Sequence, residues 1–163
     1  MKKIVLILAL FSLSCVASED TQGKKYSFGI GIGSAYSGIG GNFGIVSKND
    51  MKYISAGCVD SSSMYGTTCG VGAGWIKTDL FDLESNKHGV GVYVSIVGHE
   101  SYATFENEVY SSQDDDIYGV GISYTYFMNG INESGTIFGI STHITNADHE
   151  DSYGGFLQVG YQF

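Results

Sequence analysis

The residues of this chain whose types and spacing could do chemistry are few: a pair of cysteines and a band of carboxylates. Cys58 and Cys69 flank residues 59–68, and a hairpin centred on Ser63 and Met64 would set them directly opposite each other, with Ala56 facing Val71 and Ile54 facing Ala73. Two cysteines in register on adjacent strands predict a disulfide if the chain is exported, the alternative being two free buried thiols. No histidine or further cysteine sits beside them to complete a metal site. Glu106, Glu108 and the run Asp114-Asp115-Asp116 form an acidic loop whose oxygens suit Ca²⁺ or Mg²⁺. Their spacing is not that of an EF-hand, and carboxylates on a surface loop are also adequately served by water. Repeated Gly-x-Gly pairs lack the strand-to-helix setting that phosphate binding requires, so no cofactor is expected.

The elements that must position these residues announce themselves by a period of two. Residues 26–35 set Tyr26, Phe28, Ile30 and Ile32 against Ser27, Gly29, Gly31 and Gly33. The same alternation recurs over 39–47, 67–77, 88–98, 118–128, 136–145 and 153–163, and residues 51–60 make a segment whose parity only the cysteine pairing settles. Breaks fall at 36–38, 48–50, 61–66, 78–86, 99–117, 129–135 and 146–152, the longest being the acidic one. Eight segments of nine to eleven residues predict an all-β fold, a closed eight-stranded antiparallel up-and-down transmembrane β-barrel over 26–163. Residues 18–25 are left as a short N-terminal segment.

Residues 1–17 read as a signal peptide. Lys2 and Lys3 precede the apolar run 4–13, and Cys15 and Ala17 stand where small residues precede a cleavage site. The run is too short for a bilayer-spanning helix, and no later stretch approaches one. With Lys2 and Lys3 removed, six lysines face seventeen carboxylates, a formal charge of −11. Such a surface repels phosphate backbones and argues against nucleic-acid binding. The chain contains no proline and 24 glycines, which lie inside the alternation and not in collagen-like or low-complexity runs.

Alternation alone leaves open whether the oily rows point inward, as in a soluble barrel, or outward. The other face decides: it carries glycine and serine where a soluble barrel would carry lysine, glutamate and threonine. Glycine suits a confined lumen, and Tyr53, Tyr93, Phe127, Phe156, Gln158 and Gln162 could fill the gaps it leaves, though a narrow wet channel remains an alternative. Both chain ends then fall on one side. Tyr26, Phe28, Trp75, Tyr124, Tyr126, Tyr161 and Phe163 gather outward at that side as an aromatic girdle.

The closing residues Leu157, Val159, Tyr161 and Phe163 resemble the final strand of small bacterial outer-membrane β-barrel proteins of the OmpA/OmpX-like size class. That resemblance implies a Gram-negative outer membrane as the location, lipid and lipopolysaccharide as surroundings, and the barrel assembly machinery as a partner for the C-terminal strand. It implies a structural or surface-interaction role through acidic outer loops, with divalent cations as candidate loop ligands and no catalysis. A second resemblance is local: His143-Ile144-Thr145-Asn146-Ala147 resembles the His-x-Ser-Asn-Ala segment of outer-membrane lipid A 3-O-deacylases. It would make His143 the base, Thr145 the nucleophile and Asp151 or Glu150 the orienting acid. Here threonine replaces serine, and parity turns His143 and Thr145 toward the lumen.

Overall fold

The computed structural model describes residues 25–62, 66–80, 85–106, 109–147 and 152–163; the expected signal peptide, Glu108, Glu150 and Asp151 lie outside them. Eight strands close into one antiparallel barrel in which each pairs with its sequence neighbours and β1 with β8. They are β1 (Lys25–Gly33), β2 (Gly38–Val46), β3 (Asp50–Ser62), β4 (Gly66–Lys77), β5 (His88–Glu106), β6 (Val109–Phe127), β7 (Gly135–Thr145) and β8 (Tyr153–Gln162). A single 3₁₀ turn, Ser34–Tyr36, separates β1 from β2.

The seam is made by four pairs, from Gly29 opposite Gln162 to Ile32 opposite Val159. The Phe163 N–H adds a bond to the Phe28 carbonyl at 2.8 Å. Closure of this kind removes the unpaired strand edges that an open sheet would leave. Followed from Ile32 through Ile39 and Cys58, the register reaches Cys69. Followed the other way, through Val159, Phe138 and Tyr126, it reaches His88, which the β4–β5 register sets against position 79. Positions 69 and 79 lie ten residues apart on β4. A stagger of about that size on eight strands corresponds to a strand tilt of about 40°.

The faces are the inverse of a soluble barrel. Every strand exposes large apolar side chains outward, among them Ile30, Phe43, Ile54, Val71, Val92, Ile122, Ile140 and Leu157. Ser27, Asn42, Ser55, Ser95, Ser123, Thr125, Ser141 and Gln158 are buried inside. The expected lumen fillers Tyr53, Tyr93, Phe127, Gln158 and Gln162 are all buried there, and Phe156 lies against His143, ring centroids 5.3 Å apart.

Two expectations are corrected. The acidic segment 99–117 is not an irregular loop: β5 and β6 run on as a paired hairpin, Gly98 opposite Ile117 up to Glu106 opposite Val109, past an irregularity between Ile96 and Gly98. The ladder continues although the alternation of oily and small residues does not. The break at 36–38 is also more than a turn at the rim: from Ser34 to Ser37 the chain folds into the lumen.

Candidate functional site: a turn folded into a closed lumen

Residues 34–37 interrupt the alternation of small and oily residues, so neither face of the wall suits them. Three successive backbone features swing them inward: positive φ at Gly33 (117°), Ser37 (55°) and Gly38 (91°). Ser37 is the only non-glycine residue with positive φ among the described residues, a conformation that costs on the order of 1 kcal/mol unless its surroundings enforce it. They do. Its hydroxyl lies 2.8 Å from that of Ser55 on β3 and accepts from Ser95 on β5 at 3.0 Å.

The rest of the turn is held from three more strands. Gln158 Oε1 on β8 accepts from the Ala35 N–H at 3.2 Å and the Ser34 hydroxyl at 3.3 Å, and its Nε2 donates to Thr125 on β6 at 3.4 Å. Asn42 Nδ2 on β2 donates to the Ala35 carbonyl at 3.1 Å. Below, Gln162 Nε2 donates to Ser27 Oγ (2.8 Å) and Asn42 Oδ1 (3.1 Å), and Ser27 donates to the Phe163 carbonyl at 2.8 Å. A hydrogen-bonded network of this kind in a low-dielectric interior fixes one arrangement, although Gln162 Oε1 within it has no hydrogen-bond partner.

Tyr36 is fully buried at the centre of this network. The register explains how a large ring fits: Gly70, Gly57, Gly40, Gly31 and Gly160 face one another in sequence across β4, β3, β2, β1 and β8. Side chains at Gly31 and Gly160 would collide with the Tyr36 ring, and at Gly40 and Gly57 with its carbonyl. Glycine is needed at this level because another backbone and ring approach so closely. Toward the end bearing the chain termini, Val46, Met51, Ile76, Phe127, Ile131 and Ile137 form a buried apolar cluster. Asn86 and the 128–134 turn close over it, with the Ile131 N–H bonded to the Asn86 carbonyl at 3.1 Å and Asn86 Nδ2 to Asn132 Oδ1 at 2.7 Å. The lumen is thus filled by polar groups around Tyr36 and by an apolar plug beneath.

Cys58 and Cys69 are bonded to each other, in the register expected from the sequence. The seven girdle residues all stand on outward rows at the terminal end. Phe28 and Phe163 stack at 6.1 Å, Tyr161 meets Phe163 edge-on at 4.8 Å, Tyr26 stacks on Phe43 at 5.7 Å, and His88 lies 5.1 Å from Tyr126 and bonds the Tyr124 hydroxyl at 2.7 Å. Trp75 continues the ring on β4, with Lys52 and Lys77 against its faces.

His143 is buried in the lumen and its Nδ1 pairs with the Tyr93 hydroxyl at 3.0 Å. Thr145 Oγ1 accepts from the Ala147 N–H at 3.3 Å. Nδ1 of the histidine is therefore engaged by a tyrosine of β5, and Asp151 lies outside the described residues. Of the acidic group, Glu106 belongs to β5 and Asp114, Asp115 and Asp116 to β6. Asp116 lies 3.7 Å from His99, and Glu100, beside it, is buried. Among the described residues no cluster of three or more His, Cys, Asp or Glu has metal-binding geometry. The inward turn was not foreseen from the sequence; its one local sign is Ser-Ala-Tyr-Ser breaking the Gly-Ile alternation. Compared with protein-family models, curated proteins and solved structures, the chain finds no match.

Proposed function

We propose that this chain is an integral outer-membrane β-barrel of a Gram-negative bacterium, exported by a cleaved signal peptide. Its role is structural or surface-interacting, exercised through the acidic β5–β6 hairpin, and it performs no catalysis. The observation that carries the reading is the outward apolar surface. Half-exposed Ile, Val, Leu, Phe and Tyr on all eight strands present on the order of 10³ Å² of oily wall, where soluble monomers rarely expose more than a few hundred Å² in one patch. From Tyr153 to Phe163 the oily row of β8, rising about 3.3 Å per residue at about 40° tilt, is roughly 25 Å tall. That height matches the apolar band of this class of barrel.

Polarity along the barrel axis supports the orientation. Lys25, Lys48, Lys52, Lys77 and Lys87 all stand at the girdle end, and the sequence holds no lysine or arginine over 53–76 or after Lys87. The hairpin end carries Asp60, Glu100, Glu106, Asp114, Asp115 and Asp116, which suits a cell-surface role for that end. Membrane fractionation with heat-modifiable gel mobility tests the location and the barrel together. The protein is expected in the outer-membrane fraction, running at a different apparent mass before and after boiling. A soluble periplasmic pool with boiling-independent mobility would refute the reading. Deleting residues 100–116 should remove surface binding while leaving the mobility shift.

A further inference from the structure

Among the outward residues at the girdle end, one group brings two cations together. Trp75, the only tryptophan of the chain, is exposed on β4, and two lysine ammoniums converge on it: Lys52 Nζ at 5.4 Å and Lys77 Nζ at 5.8 Å from the ring centroid. The convergence follows from register. Lys52 pairs directly with Trp75 across β3 and β4, and Lys77 is two residues beyond it on the same face of the same strand. Two like charges on one indole repel each other, and each gains only about 0.5–1 kcal/mol from the ring at an exposed site. An anion between them would relieve that repulsion, with the indole N–H as a neutral donor alongside.

We propose that Lys52, Trp75 and Lys77 form a site for the headgroup phosphate of an anionic phospholipid in the leaflet at the girdle end. The proposal rests on the membrane reading above. Depth and charge both suit this ligand: the aromatic belt marks the headgroup level, and juxtamembrane lysines attract anionic lipid. The two lysines are not equivalent. Lys77 has Asp79 at 3.3 Å, so part of its charge is already countered. Lys52 has Ile45 and Ile54 as its outward neighbours on β2 and β3 and is the stronger anchor.

Because Trp75 is the sole tryptophan, its fluorescence reports on this spot alone. The full chain is refolded into vesicles of zwitterionic phosphatidylcholine mixed with phosphatidylglycerol, with bromine carried on one lipid or the other. Brominated phosphatidylglycerol is expected to occupy the shell around Trp75 about three- to fivefold more than its bulk share, the preference corresponding to roughly one effective lysine charge near a surface. Lys52→Gln should remove most of it, Lys77→Gln less, Lys52→Arg little, with heat-modifiable mobility unchanged in all three. Equal quenching by the two lipids in the unaltered protein, or a preference surviving in the Lys52→Gln/Lys77→Gln double variant, would overturn the proposal. Folded protein whose Trp75 is quenched by neither lipid would instead overturn the membrane orientation itself.

Discussion

Replacing Tyr36 tests whether the inward turn is held by its fit to the glycine band. The side chain is fully buried; at roughly 150–200 Å² and about 25 cal/mol per Å², burial of a tyrosine contributes about 4–5 kcal/mol. Its hydroxyl has no hydrogen-bond partner in the protein, which offsets about 1–3 kcal/mol. Tyr36→Ala should therefore cost about 1–4 kcal/mol, and Tyr36→Phe should be neutral or slightly stabilising. The sharper experiment pairs Tyr36 with Gly160. A methyl group at Gly160 would overlap the Tyr36 ring and hydroxyl, which are the three nearest heavy atoms to it, so Gly160→Ala alone should cost about 1–3 kcal/mol by overpacking. With Tyr36→Ala already present that clash is gone, and Gly160→Ala should be neutral or gain about 0.5–1 kcal/mol from replacing a strand glycine. Urea titrations of the barrel refolded in phospholipid vesicles, read by Trp75 fluorescence and by heat-modifiable mobility, give all four corners of the cycle. A coupling of about 2 kcal/mol is expected. If the two costs add to within about 0.5 kcal/mol, Tyr36 does not rest on Gly160 and the account of the glycine band fails.

Three further outcomes follow from the same geometry. Cys58→Ser/Cys69→Ser should lower stability by about 2–3 kcal/mol, the loop-closure value for a bridge of this short span, with thiol titration finding two reactive groups only after reduction of the parent. Ile122→Arg, at the middle of an outward row, should cost about 2–4 kcal/mol in a bilayer, whereas Ser123→Ala beside it should change stability by less than about 1.5 kcal/mol; equal costs would contradict the assigned faces. Planar-bilayer recordings should show no steady conductance, because Tyr36 and the Met51–Ile76–Phe127 cluster occupy the bore, and a stable open level would contradict that packing.

How far the sequence could be read depended on what each face of a strand touches. Where one face is oily and the other meets the lumen, as along β1 and the lower parts of β5 and β6, residues alternate and strands are visible. Residues 98–106 and 109–117 stand beyond the oily rows, with no constraint to sort them, so polar residues occupy both parities and a long ladder reads as a loop. β3 shows the intermediate case, in which only the cysteine pairing revealed the parity. The inward turn escaped for a different reason: its partners Asn42, Ser55, Ser95 and Gln158 are up to 124 residues away, and no local pattern encodes them.

The glycines make the same point more sharply. In sequence, Gly31, Gly57, Gly98 and Gly160 are alike, each a small residue in or beside an alternating run. A general shortage of room between close walls would make all of them equally intolerant of a side chain. The structure separates them: a methyl group at Gly98 would meet nothing nearer than Ile117 at 3.6 Å, while those at Gly31, Gly57 and Gly160 would meet Tyr36 within hard contact. At Gly160 all three nearest atoms belong to Tyr36, whereas Gly31 and Gly40 also meet the backbone of the neighbouring strand, at Val159 and Ala56. What sets Gly57 and Gly160 apart is a segment that shares the band's level, and that level exists only once eight registers are closed into a ring. Gly98→Ala should accordingly be tolerated in the assay that penalises Gly160→Ala, and a comparable loss at both would return the glycines to the simpler explanation of narrow walls.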